Sequence, residues 1–178
     1  MNKSTLLTLS ASLILASGLA SCSKDEYDSQ PPRFSEMEVN VLSRDANGNL
    51  VSTNSDEVHV GDYFTVTARQ RAVGKLLNTT KYSWSNTQNF SQRYRPSVIY
   101  DQYEQNFNPA DTLYASAAGV CRVTFTGKYN ASGDTQKWAS SYGSNSSETL
   151  PDGSKVTYTV GGIFYFTVTA ECTLNIRP

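Results

Sequence analysis

Apolar and polar residues alternate along most of this chain, and a period of two marks strands with one buried face. The stretch "MEVNV" puts Met37, Val39 and Val41 on one side. "EVHVGDYFTVTA" does the same with Val58, Val60, Phe64, Val66 and Ala68, and "KYSWS" with Tyr82 and Trp84. "GVCRVTFTG" aligns Cys121, Val123 and Phe125 against Arg122, Thr124 and Thr126. In the last segment Phe164, Phe166, Val168, Ala170, Cys172, Leu174 and Ile176 share one face, opposite Tyr165, Thr167, Thr169, Glu171, Thr173 and Asn175. No stretch keeps the helical period beyond a turn or two. One-sided sheets bury their apolar faces against each other, so residues 37–178 are predicted to form a single all-β antiparallel sandwich.

Three segments depart from this pattern. Residues 1–21 begin with Lys3, continue with the uncharged apolar run Leu6 to Ala16, and end in small residues. That run is shorter than the roughly 20 apolar residues of a spanning helix. It reads as an export signal that is later removed, rather than as a helix packed on the domain. From Cys22 to Glu36, charges, Ser29, Gln30 and the Pro31-Pro32 pair predict an extended tether. The third segment runs from Tyr129 to Val160, longer than the 12–15 residues or so at which a connection needs a function or structure of its own. "PDGS" at Pro151 to Ser154 predicts a turn and "KVTYTV" a strand, which together give an extra hairpin before the last strand. Trp138 and Tyr142 lie in a polar part of this excursion. They are ligand-binding candidates, because an exposed ring can stack on a sugar face while its polar edge stays wet. The alternative is that Trp138 folds back to cap the sandwich.

Composition narrows the chemistry. Without residues 1–21, 157 residues remain, carrying 14 basic and 16 acidic side chains. That balance gives no reason to expect a nucleic-acid partner. The single histidine, His59, lies between two core-facing valines and so is predicted to point outward. A catalytic triad would have to use it, and no nucleophile-elbow motif accompanies it. One histidine and no close cysteine pair argue against a zinc site. No cofactor and no catalytic residue can be nominated, so the chain is read as a non-enzyme. "DANGN" at Asp45 to Asn49 resembles half a calcium loop, but it lacks the sixth-position glycine and the bidentate glutamate. Asn47-Gly48 reads better as a type I′ hairpin turn, with positive φ at both positions.

"LASC" at Leu19 to Cys22 matches the lipobox of bacterial lipoproteins. The resemblance implies cleavage before Cys22 and lipidation of its sulfur and its new amine. Two or more acyl chains anchor a protein stably, at about 0.8 kcal/mol per buried methylene. Ser23, Lys24, Asp25 and Glu26 follow, and this run resembles the acidic export signal of Bacteroidetes lipoproteins. It implies an outer-membrane location facing the cell exterior. "DTL" at Asp111 to Leu113 matches a short O-glycosylation pattern of exported Bacteroidetes proteins, which makes Thr112 a candidate for modification. "VGDYFTVTA", "YSWS" and "AAGVCRVTF", taken in order, resemble immunoglobulin-like and PKD-like domains. The long excursion is the departure from that pattern.

With Cys22 lipidated, Cys121 and Cys172 remain in an exported chain where oxidation is permitted. Both occupy core-facing positions of strands expected to be neighbours. If directly opposed, their Cα atoms would lie about 4.5 Å apart, within the bridging range of about 4.4–6.8 Å. A disulfide is therefore expected, with two buried thiols as the alternative. The function that follows is a surface-exposed, lipid-anchored, non-catalytic module for a glycan or protein ligand, serving as accessory to an outer-membrane system. The alternatives are an assembly subunit that pairs through exposed strand edges, and a small hydrolase or peptidase inhibitor.

Overall fold

The computed structural model describes residues 27–91, 97–101 (backbone only) and 108–178. The predicted signal peptide, Cys22 and the run Ser23 to Glu26 lie outside the described residues. The strands before the excursion are β1 (Arg33–Arg44), β2 (Leu50–Ser52), β3 (Tyr63–Ala72), β4 (Leu77–Asn86), β5 (Ser97–Asp101), β6 (Ala110–Tyr114) and β7 (Gly119–Ala131), of which β1, β3, β4 and β7 arise from the alternating segments. A helix α1 of about two turns (Gln136–Tyr142) follows, then β8 (Asn145–Thr149), β9 (Lys155–Val160) and β10 (Tyr165–Ile176).

Among the described residues these strands form two antiparallel sheets, β2-β1-β3-β6 and β5-β4-β7-β10-β9-β8. The protein is an all-β sandwich, with β1-β3-β6 of one sheet facing β5-β4-β7-β10 of the other. The β8–β9 hairpin extends the second sheet beyond its last strand, as the turn and strand signals of the excursion predicted. Phe125 sits near the middle of the core. Its ring centroid lies 5.7 Å from Phe34 of the facing sheet, and 5.4 and 5.2 Å from Tyr82 and Trp84 of the adjacent strand β4.

The hairpin at "DANGN" differs from the predicted type I′ turn. Among its residues only Gly48 has positive φ, at 80°, and Gly48 N–H donates to Asp45 O at 2.9 Å. This is a type I turn closed by a glycine bulge, which needs one left-handed residue rather than two. The Asp45 carboxylate accepts the backbone N–H groups of Asn47 and Asn49, so it holds the turn together. "PDGS" is built the same way: Gly153 has φ 84° and donates to Leu150 O.

The ordered domain begins before Met37, contrary to the tether expected over residues 22–36. Phe34 is fully buried, and Ser29, Pro31 and Pro32 are buried as well. Ser29 Oγ donates to Leu76 O at 2.9 Å and accepts Gly133 N–H at 3.0 Å. Polar composition suggested a solvated linker, but here the polar groups find partners on neighbouring loops.

Cys121 and Cys172 are free thiols, which corrects the expected disulfide. Cys121 pairs in register with Leu174, and Cys172 with Val123. The two cysteines share a face of adjacent strands but are offset by two residues. Diagonal neighbours stand about 7–8 Å apart, beyond bridging reach. Burial, reinforced by Asp152 and Cys121, pushes the Cys172 thiol up to about 12, and burial raises Cys121 too. Under non-reducing conditions the folded protein should therefore resist alkylation at both sites. Unfolding in denaturant should release two reactive thiols. Mass spectrometry showing a two-proton deficit with no alkylation after unfolding would restore the bridge.

Candidate functional site

The excursion that carried the sequence-based site candidates curls over an open edge of the sandwich. Strand β2 covers β1 only at Leu42 to Arg44, so the first half of β1 has a free edge. A buried sheet edge must find partners for its backbone groups. The excursion supplies one: Met37 N–H donates at 2.7 Å to the carboxylate of Asp152, in the β8–β9 turn. Asp152 is itself fixed by the hydroxyl and backbone N–H of Ser154, at 2.9 and 3.0 Å.

A second carboxylate, Glu148 on β8, crosses to the same sheet. One of its oxygens meets Arg33 of β1 at 2.7 Å and Arg71 of β3 at 2.9 Å. The other accepts the hydroxyl of Tyr158 at 2.7 Å. Partial burial works against ionisation of Glu148, but the hydrogen bonds from Tyr158 and Arg33 and the charges of Arg33 and Arg71 outweigh it. Its pKa is held below the ordinary glutamate value. Burial, together with the bond to Glu148, pushes the Tyr158 phenol well above its usual range.

Aromatic rings surround this ion pair. The Arg33 guanidinium lies 5.3, 5.7 and 4.9 Å from the ring centroids of Trp138, Tyr142 and Tyr158. Such contacts are worth about 0.5–2 kcal/mol each, the more when desolvated. Trp138 is only 6% exposed and packs edge-on against Phe166 and tilted against Tyr158. It caps the sandwich. Tyr142 stacks on Trp138 with centroids 4.2 Å apart and remains 54% exposed. The two candidates thus come together, but of the two only Tyr142 is exposed. Sequence reasoning missed Arg33, Arg71, Glu148 and Tyr158, because they lie on four strands and no local spacing links them.

The remaining candidates stand elsewhere. Thr112 is half-buried on the edge strand β6, opposite Thr65 of β3. His59 is exposed, with Nδ1 3.9 Å from the Asp62 carboxylate. A groove of about 470 Å³ runs beside the free half of β1, lined by Glu36, Glu38, Asp56, Asp152 and Glu171 with Lys155 as the counter-charge. Among the described residues no group of three or more His, Cys, Asp or Glu side chains could hold a metal ion. Among those residues, too, no helix is long and apolar enough to cross a membrane. Compared with protein-family models, curated proteins and solved structures, the chain matches none.

The two rings should separate cleanly on mutation. Trp138→Ala should cost about 3–5 kcal/mol, as for other buried aromatics. Tyr142→Ala should cost less than about 1 kcal/mol, and denaturant melts compare them. Glu148→Gln should lower stability near neutral pH by about 2 kcal/mol, or roughly 4–8 °C in Tm. Because the folded-state pKa of Glu148 is depressed, its contribution is complete above the ordinary value of 4.5 and is lost as pH falls through the lower folded value. The gap between wild type and Glu148→Gln should therefore close on going from about pH 6 to about pH 3. A gap constant across that range would show that the charge on Glu148 plays no part.

Proposed function

We propose that this protein is a lipid-anchored, non-catalytic module displayed on the outer face of an outer membrane, where it binds a glycan or a protein ligand. The address rests on "LASC" with Cys22 as the lipidated residue, and on the run Ser23 to Glu26 behind it. The observation that carries the binding role is the exposure of Tyr142. Its ring is stacked on Trp138 and lies 5.7 Å from the Arg33 guanidinium, yet the residue stays 54% exposed. A ring held in this way loses little conformational freedom when a sugar or an aromatic side chain stacks on it. Arg71, with half its side chain exposed, and Glu148 supply a donor and an acceptor within the same cluster. The position serves recognition better than packing, since the capping function belongs to Trp138.

Two experiments test the two halves. Replacing Cys22 with Ala should leave an unprocessed precursor that takes up no labelled palmitate; a lipidated mature band from the variant would end the lipoprotein reading. On intact cells, external protease should remove the wild type, while a variant with Lys24, Asp25 and Glu26 changed to Ala should be protected. For the ligand, a glycan array and a surface-protein pull-down with the mature protein should give binding that Tyr142→Ala reduces about tenfold, with melting temperature lowered by no more than about 4 °C. Binding left intact in that variant would move the ligand site elsewhere on the sandwich. Assembly through the edge strands β6 or β8 would show instead as a concentration-dependent oligomer.

A further inference from the structure

Alternation along the last segment assigns Phe164 to the core face, yet Phe164 is 64% exposed and Ile163 beside it 55%. They form the tip of the bend between β9 and β10, after Gly161 and Gly162. The bend is pinned rather than loose. Thr135 Oγ1, fully buried, lies 2.8 and 3.0 Å from the carbonyls of Gly162 and Ile163, and Ala131 N–H donates to Phe164 O at 2.6 Å. With its backbone held from behind, the tip presents its two apolar side chains outward.

The N-terminal segment arrives at the same end of the sandwich. Asp134 N–H donates to Tyr27 O at 2.8 Å, and the Tyr27 carbonyl lies so close to Gly133 that a Cβ there would collide with it. One short stretch, Ala131 to Thr135, thus holds the Ile163–Phe164 tip and Tyr27, which is itself 69% exposed. Only four residues, Ser23 to Glu26, separate Tyr27 from Cys22 in the sequence. Fully extended, the five steps from Cys22 to Tyr27 span at most about 18 Å. If Cys22 carries acyl chains, this end of the domain is confined to the neighbourhood of the lipid headgroups.

We propose that Tyr27, Ile163 and Phe164 form a membrane-docking surface that inserts shallowly into the bilayer interface and orients the anchored domain. The proposal rests on the lipid-anchor reading given above. Aromatic side chains favour the interfacial layer, and apolar side chains reach about 5–10 Å into the headgroup–acyl boundary. Three exposed residues would bind a vesicle too weakly on their own. Tethering supplies the high effective concentration that makes so small a contact effective. The opposite end, with the start of β7 and the end of β10 paired through Gly119 and Ile176, then points away from the membrane. The 13 residues of β7 put that end about 40 Å from the surface.

The test uses the full lipidated protein in phosphatidylcholine vesicles, whose zwitterionic headgroups remove net electrostatic attraction. Phe164→Cys and Val120→Cys each receive an environment-sensitive fluorophore. Val120 is the control: it is also 64% exposed but lies at the far end of β7. Cys22 is blocked by its lipid, and the buried thiols Cys121 and Cys172 should not label in the folded state. Lipids carrying nitroxide quenchers near the headgroup should quench the label at position 164 at least threefold more than the label at 120. Tyr27→Asp with Ile163→Asp should abolish that difference while the protein still floats with the vesicles. Flotation with equal, water-like emission at both positions would overturn the docking surface and leave the anchor standing. Failure to float would overturn the anchor, and the docking surface with it.

Discussion

Two carboxylates on one hairpin hold the open side of this sandwich. Glu148 ties β8 to Arg33 and Arg71 of the facing sheet, and Asp152 accepts the N–H that the free edge of β1 would otherwise leave unpaired. The partners Arg33 and Glu148, and likewise Met37 and Asp152, are 115 residues apart in the chain. Without these links β8 and β9 would overhang β1, and their inward residues Val156 and Tyr158 would lose the surface they pack against. The net energy of each charged link is modest, about 1.5–3 kcal/mol, but removing one partner also leaves a desolvated group unsatisfied.

The aromatic cluster depends on the same constraint. Arg33 can sit among Trp138, Tyr142 and Tyr158 because Glu148 neutralises it from one side. Desolvating a guanidinium without such a partner would cost more than the ring contacts return. Capping of the sandwich by Trp138 and exposure of Tyr142 are therefore two results of one arrangement. The short helix α1, which carries both residues, positions the indole inward and leaves the phenol at the rim. Ligand recognition, where it uses Tyr142, draws on a ring whose position was set by core packing.

The two ends of the molecule differ in what they expose and in what they adjoin. Tyr27 and the β9–β10 tip share one end, where the chain continues toward Cys22. The C-terminus and the start of β7 occupy the other. Only the four residues Ser23 to Glu26 lie between Cys22 and Tyr27, so an anchor at Cys22 would leave the domain little freedom to turn away from the surface that held it. A long flexible linker would have erased the distinction.

The sequence by itself determined the principal strands, the two-sheet class and the excursion hairpin. Those features are local: alternation and turn residues are each read within a dozen positions. It also brought Trp138 and Tyr142 forward, though not their opposite degrees of exposure. Only the tertiary structure decided the rest. Cys121 and Cys172 lie on the same face of adjacent strands, as alternation requires, but a two-residue offset in register keeps their sulfurs apart, and register is a property of the strand pair. Phe164 fits the core pattern of its segment but falls in the bend before β10, where the pairing ends and the face it would have joined is no longer there. Ser29 and Phe34 sit in a polar stretch that reads as linker, and burial comes to them from Leu76, Gly133 and Phe125, which no window of sequence places beside them. Period and turn chemistry act along the chain, whereas burial and pairing depend on what folds across it.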